Sequence, residues 1–178
     1  MTFKLNIPPA EINAWAARYR NDYDDRDAER IGAAARSGHH LSRDQFLSLA
    51  EWKTKRTKSR CRKNSEEYVR QVTSSALTAD EPRFKIQVLR LLDGVDWATA
   101  SVILHFCDSA DWPIIDFRAF WSLGQPAPNQ CSYSIWQAYT TYTRDLARDL
   151  KVSMRTLDRA LWAYSKANQP ATSGRVRR

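Results

Sequence analysis

The chain has 178 residues, of which 43% are hydrophobic, 11% aromatic and 27% charged. This length fits one compact unit rather than an array of domains, and the composition supports a core, so intrinsic disorder is not expected. Lysine and arginine give a net charge of +8, which favours a polyanionic partner. Five glycines are few for a sheet protein or a glycine-rich phosphate loop. A helical fold is therefore expected.

The first residues and the cysteines bear on the cellular compartment. The N-terminal segment has neither a long apolar core nor a small-residue cleavage site, so export is not expected, and no apolar run is long enough to predict a membrane span. The three cysteines, Cys61, Cys107 and Cys131, contain no close pair of the kind that zinc or iron–sulfur sites use. We therefore expect free thiols, no metal, and a cytoplasmic monomer, associated with the nucleoid if the protein is bacterial.

Three elements are predicted before residue 53. Ile12, Trp15 and Tyr19 recur at helical spacing, and residues 21–38 are expected to form a loop with a short helix. Ser42 and Gln45 have the spacing of a capping box, which predicts a helix over residues 43–52.

A strongly basic segment, residues 53–63, comes next. It contains no acid and seven cations: Lys53, Lys55, Arg56, Lys58, Arg60, Arg62 and Lys63. These side chains are expected to bind phosphates, with an affinity that falls as salt rises. The alternative is a solvated loop.

Further helices follow to the end of the chain. We predict a helix over residues 64–76 with Asn64 as cap, one that starts at Asp80 and ends at a break at residues 92–96, and one over residues 97–106. Three more are predicted over residues 116–124, from Ser132 or Ser134 to 150, and over residues 154–166 with Ser153 as cap. In all, seven or eight helices and no strand are expected. Residues 1–170 would form the compact unit and residues 171–178 a basic, flexible tail.

The break at residues 92–96 predicts a helical hairpin. Gly94 permits a tight turn, and the helix that begins at Trp97 would present backbone N–H groups to a phosphate. The alternative is an ordinary turn between two packed helices.

Residues 92–104, followed by Pro113-Ile-Ile-Asp-Phe-Arg-Ala119, resemble the helix-hairpin-helix and Gly/Pro/Asp-loop signature of the DNA glycosylase superfamily. The resemblance covers residues 84–124. The matching positions are Leu92, Gly94, Val95, Thr99, Ala100, Pro113, Asp116 and Arg118.

The resemblance implies an all-α fold of two lobes with a cleft between them, and an enzyme that flips a base out of duplex DNA and cleaves its glycosidic bond. Asp116 would be the catalytic carboxylate, because cleavage builds positive charge on the sugar; the alternative is a helix cap. Arg118 would hold a phosphate or brace Asp116. DNA would also be bound at the hairpin, through Gly94, Val95, Asp96, Trp97 and Thr99, and the hairpin carbonyls could bind a monovalent cation.

The chain departs from the signature at several positions. Ala98 stands where family members that also cut the DNA backbone have a lysine, so the resemblance implies the monofunctional type, without imine chemistry. Asp93 and Asp96 replace a proline and a glycine of the hairpin, and Asp96 is well placed as a helix cap.

A flipped base needs aromatic walls. We expect Trp52, Trp112 and Trp121 to supply them, with Glu51 beside Trp52 binding a base edge; core packing is the alternative for each tryptophan. His105 is interpreted as a core residue.

The sequence thus favours a DNA glycosylase that leaves an abasic site. It would act either in repair or in defence against phage DNA with hypermodified bases. The main alternative is a non-catalytic helix-hairpin-helix DNA-binding module, and an RNA-binding helical protein ranks below it.

Overall fold

The computed structural model describes residues 1–19 and 25–170, and this part of the chain is helical without a strand. The all-α prediction is confirmed. The α-helices are α1 (Ile12–Ala17), α2 (Asp25–Gly38), α3 (Arg43–Lys53), α4 (Lys58–Cys61), α5 (Glu66–Thr78), α6 (Pro82–Leu89), α7 (Trp97–Cys107), α8 (Phe117–Ser122), α9 (Tyr133–Asp149) and α10 (Met154–Asn168). Short 3-10 helices cover Pro9–Glu11 and Lys55–Thr57. The predicted tail, residues 171–178, lies outside the described residues.

Side-chain caps explain most helix starts. The predicted capping box between Ser42 and Gln45 is present at α3, and Ser132 and Ser153 cap α9 and α10. Each hydroxyl accepts a backbone N–H that the first turn leaves without a partner. Residues 25–38 form one helix of 14 residues rather than a short one.

Two predicted caps are wrong by one residue. Ser65, not Asn64, caps α5, and Glu81, not Asp80, caps α6. In the first case the side chain of Asn64 is used elsewhere, because it binds the backbone of the hairpin.

The helices pack in two groups that share one continuous core. Helix α10 packs against α1, α8 and α9, whereas α7 packs against α2, α3 and α6. The division of the chain into two lobes stays a prediction. Of the helices described, none has the length and apolar character that a membrane crossing requires.

His105 joins α7 to the loop that precedes α8. Its Nδ1 lies 2.6 Å from the carbonyl oxygen of Trp112, so the neutral ring donates from this nitrogen. Burial lowers the pKa of His105 from 6.5 to about 4. The predicted core role is confirmed.

We expect this histidine to make folding stability depend on pH. Between pH 6.5 and 4 the unfolded imidazole gains a proton that the folded one does not, so stability falls as the pH falls through this window. Urea unfolding should show that wild type loses about 2 kcal/mol of unfolding free energy relative to His105→Gln between about pH 7.5 and about pH 5. The same difference in unfolding free energy at both pH values would contradict a neutral, buried His105.

Candidate active site

A cavity of about 360 Å³ lies where the two groups of helices meet. Three stretches that are distant in sequence supply most of its wall: the start of the basic segment, the start of α7 and the start of α8. The lining residues from these stretches are Lys53, Thr54, Arg56, Asp96, Trp97, Ala98, Ile115, Asp116, Phe117 and Phe120, and the loop before α9 adds residues 127–129 and Cys131. The sequence predicted the hairpin, the basic segment and Asp116 as functional, and the structure brings all three together.

Hydrogen bonds to the two preceding residues fix the position of Asp116. The hydroxyl of the buried Tyr139 donates to the carbonyl oxygen of Ile114 at 3.0 Å. The backbone N–H of Ile115 donates to Oγ of Ser101 at 3.0 Å. Because Ser101 lies on α7, the carboxylate is held at a fixed place relative to the helix that begins at the hairpin.

The carboxylate of Asp116 uses its two oxygens differently. Oδ1 accepts the backbone N–H of Arg118 at 2.9 Å and so caps α8. Oδ2 lies 2.6 Å from Nζ of Lys53. The cap predicted as the alternative role therefore exists, and it leaves one oxygen for an interaction inside the cavity.

The partner of Asp116 is a lysine from the basic segment. The side chains of Lys53 and Asp116 are only 12% and 17% exposed, so both charges are largely withdrawn from bulk water. Such a pair is costly to break, because each charge would then be left without a partner in a poorly solvated place. The sequence assigned Lys53 to phosphate, whereas its ammonium group contacts the candidate catalytic carboxylate.

The turn of the hairpin packs directly on the basic segment. Gly94 has a φ of 82°, and a Cβ at this position would lie 2.7 Å from Sγ of Cys61 and 3.0 Å from Cβ of Arg60. The side chain of Asn64 accepts the N–H of Asp93 at 2.9 Å and donates to its carbonyl oxygen at 3.0 Å. Gly94 therefore allows the hairpin backbone to pack closely against Arg60 and Cys61.

These contacts correct part of the predicted DNA-binding set. Val95, Trp97 and Thr99, which were predicted to contact DNA, are buried, so their side chains do not face solvent. The backbone N–H of Trp97 donates to Oδ1 of Asp96, which confirms the predicted cap and occupies an amide expected to bind phosphate. The carboxylate of Asp96 also lies 3.4 Å from Nε of Arg90.

Most cations of the basic segment remain accessible. Lys55, Arg56, Arg60, Arg62 and Lys63 are exposed. Lys58 instead pairs with Glu51 at 2.7 Å, which lowers the pKa of Glu51. Arg118 braces Asp116 only through its backbone, and its guanidinium lies 5.0 Å from the ring centroid of Phe117.

None of the residues predicted to form the base pocket lines this cavity. Trp112 is buried and stacked on Trp136, since it belongs to the core. Nε1 of Trp52 donates to Asp25, and Trp121 packs on Tyr164. Glu51 lines a separate recess.

The cavity's aromatic residues are instead Trp97, Phe117 and Phe120. Phe117 is 53% exposed. The sequence signal for Phe117 is its position directly after Asp116. Ser101 and Tyr139 carried no comparable signal, because their role depends on contacts between helices.

The hairpin carbonyls are already partly occupied. The carbonyl oxygen of Leu92 accepts the N–H of Val95, and that of Asp93 accepts the amide of Asn64. The monovalent cation stays a prediction. In residues 1–19 and 25–170, no three His, Cys, Asp or Glu side chains are grouped as metal ligands.

We expect a side chain at position 94 to damage the link between hairpin and basic segment. Gly94→Ala combines a positive φ with a Cβ 2.9 Å from the backbone nitrogen of Cys61, so it should cost about 2 kcal/mol or more of unfolding free energy. The measurement is urea unfolding.

Gly38→Ala is the matched control, because the nearest atom to its Cβ is 3.5 Å away on the His40 ring. This control should stay within about 0.5 kcal/mol of wild type. Equal effects of the two substitutions would show that the close approach at Gly94 is unimportant.

Comparisons with known proteins give little beyond this geometry. No family model matches the chain, and no curated protein matches it. A solved structure that is similar to it is the Methanocaldococcus jannaschii 8-oxoguanine glycosylase/lyase in complex with a 15mer DNA containing 8-oxoguanine. The sequence identity is 16%, the match covers 91% of this chain and 84% of the other, and the TM-score is 0.49. A likeness at this level establishes neither a family nor a function.

Proposed function

We propose that this protein is a DNA glycosylase that binds duplex DNA, accepts one flipped nucleotide in the cavity at Asp116 and cleaves its N-glycosidic bond. One observation carries the proposal. A carboxylate held by backbone and lysine contacts lines a cavity of about 360 Å³, directly beside the helical hairpin and an exposed basic segment.

Cleavage of an N-glycosidic bond is helped by a carboxylate that lies next to the sugar in the cavity. As the base leaves, positive charge develops on the deoxyribose, and a nearby carboxylate stabilises that charge in a site from which water is partly excluded. The same group can orient the attacking water and accept its proton. Asp116 suits both tasks, because the capping bond holds Oδ1 while Oδ2 pairs with Nζ of Lys53, and both residues line the cavity.

The size and walls of the cavity suit one base. Small-ligand sites begin at roughly 300 Å³, and this cavity has about 360 Å³. A flipped base loses its stacking in the duplex, which aromatic side chains replace. Phe117 is suited to this role, because it combines exposure with a place in the cavity wall.

The exposed cations supply the DNA surface. Arg56 lies in the cavity wall, and Arg60 contacts the hairpin at Gly94, so phosphates on both sides of a flipped nucleotide would be within the basic segment's reach. Affinity should fall steeply with salt, as phosphate contacts require.

More specifically, the proposed enzyme releases an altered base by hydrolysis. Repair of an oxidised, alkylated or deaminated base and removal of hypermodified phage bases use the same chemistry, and a panel of modified duplexes separates them. The non-catalytic alternative keeps Asp116 as a cap alone. It predicts salt-sensitive binding with no base release from any duplex.

The central experiment separates the two roles of Asp116. Asn and Ser both cap helices well, so Asp116→Asn and Asp116→Ser should keep α8 folded while removing the carboxylate. With the duplex that wild type cleaves fastest, release of the free base, measured by mass spectrometry, should fall by a factor of about 100 to 10,000.

DNA binding by the two variants serves as the control and should match or exceed that of wild type, since a negative charge is lost. Base release at the wild-type rate from either variant would reject the catalytic role. Binding without base release by the wild type, across the whole panel, would favour the DNA-binding module.

Phe117 provides a second test. Stacking of a base on an aromatic ring contributes about 1 to 3 kcal/mol, so Phe117→Ala should lower kcat/KM for base release by roughly 5- to 150-fold. Phe84→Ala is the matched control, because Phe84 is 49% exposed but does not line the cavity. Equal activities of the two variants would contradict stacking by Phe117.

A further inference from the structure

A largely buried charge network lies behind Lys53. Trp52, the residue before it, donates its Nε1 hydrogen to Oδ1 of Asp25 at 3.1 Å. The other carboxylate oxygen of Asp25 accepts Nη2 of Arg155 at 2.5 Å. The guanidinium of Arg155 lies 5.3 Å from the ring centroid of Trp52 and also pairs with the carboxylate of Asp158. The network therefore connects α10, through α2, to the end of α3, which carries Lys53.

Asp158 is the carboxylate of this network that lies deepest between the helices. Leu161, one turn along α10, accepts the hydroxyl of Ser122 on α8 at its carbonyl oxygen, at 2.6 Å. Burial, together with the charges of Asp158 and Asp116, raises the pKa of the Tyr139 hydroxyl. Because both carboxylates act on this one buried group, they lie close enough to influence each other as well.

The protonation of Asp158 depends on these surroundings. Burial raises its pKa from 3.8 to about 6. Arg155 and Lys53 oppose the rise, whereas Asp116 and Asp25 add to it. The charged and titratable groups that face Asp158 come from the elements around it: Arg155 on α10 itself, Lys53 at the end of α3, Asp116 before α8, Asp25 at the start of α2, Tyr19 after α1 and Tyr139 on α9. The carboxylate is therefore ionised at neutral pH and protonated in mild acid.

The charges of the network do not cancel. A carboxylate paired with a lysine has a weak net field, so Lys53 by itself lowers the ability of Asp116 to stabilise a positive sugar. Asp25 and Asp158 each add a negative charge, and Arg155 adds a positive one. Among the described residues of the network, three carboxylates thus face two largely buried cations. One negative charge is left over beside the cavity.

Arg159 changes this balance little. Its guanidinium lies 2.9 Å from Asp25 and 3.2 Å from Glu29, and its side chain is 33% exposed. Glu29 therefore offsets its charge, and solvent screens what remains.

We propose that Asp158 is a positioning residue of the glycosylase: its negative charge offsets that of the Lys53 ammonium group, so that Asp116 can stabilise positive charge on the sugar. This inference rests on the proposed function, because it requires that positive charge to develop in the cavity. Protonation of Asp158 leaves Lys53 and Asp116 as a neutral pair. Base release should therefore slow as the pH falls through the range in which Asp158 gains its proton.

The test compares wild type with Asp158→Asn, which removes the charge but keeps an oxygen that can accept Nη1 of Arg155. At about pH 7.5 the substitution should lower kcat for base release by roughly tenfold to a hundredfold and leave KM for the duplex unchanged. Between about pH 7.5 and about pH 5 the ratio of wild-type to variant kcat should fall towards one, because wild type loses the same charge by protonation. A purely structural defect would not disappear at low pH.

Asp145→Asn is the matched control. Asp145 pairs with Arg148 three residues away on α9 at 2.7 Å, as Asp158 pairs with Arg155 three residues away on α10, but the side chain of Asp145 is 51% exposed. This variant should release base like wild type at both pH values. Urea unfolding and DNA binding show whether each variant is folded.

A second measurement does not require activity. In carbon NMR spectra of the aspartate carboxyl groups, one signal should titrate near pH 6 and be absent from Asp158→Asn. In Asp116→Asn the same signal should titrate at a lower pH, because a like charge has been removed. A signal that does not respond to Asp116→Asn would show that the two carboxylates are not coupled, and it would overturn the proposal.

The kinetic outcomes separate this inference from the glycosylase assignment. Equal kcat of wild type and Asp158→Asn at neutral pH, or a ratio that does not change with pH, would overturn the role of Asp158. If base release still depends on Asp116, the glycosylase assignment remains intact. No base release by wild type from any duplex would reject the glycosylase and, with it, this role of Asp158.

Discussion

The ion pair between Lys53 and Asp116 is the interaction on which the site depends. Two opposite charges are largely withdrawn from water, and neither could remain so alone, because the desolvation of a single charge is too costly. The pair joins the end of α3 to the start of α8 and therefore connects the two groups of helices across the cavity. A charged contact of this kind does more for geometry than for net stability.

A second constraint sets the shape of the site around that pair. The hairpin turn can pack on the basic segment only because Gly94 has no side chain, and Asn64 satisfies both backbone groups of Asp93. This packing places the basic segment beside the cavity. Ser101 and Tyr139 hold the residues just before Asp116, so the carboxylate and the hairpin keep a constant separation.

Tertiary packing gives several residues contacts other than those predicted from the sequence. An aromatic wall was expected, but Trp112 is buried in the core and Trp52 packs half-buried against it, whereas Phe117 and Trp97 line the cavity. Asn64 was expected to cap a helix, yet it caps the hairpin while Ser65 caps α5. A polar side chain near a helix start can bond either to the helix or to a distant segment. Where two such residues are adjacent, the sequence does not show which of them caps the helix.

The sequence by itself determined the helical class and most helix starts, because capping, turn formation and periodicity depend on residues within a few positions of one another. Asp116 became the candidate carboxylate only through the resemblance of residues 84–124 to the glycosylase signature. Only the tertiary structure decided that Lys53 contacts Asp116, which lies 63 positions away, and that the hairpin packs on the basic segment. Such contacts depend on how helices pack, and no local pattern contains that information. The chemistry proposed for this site therefore rests on a local motif for one of its groups and on the fold for the other.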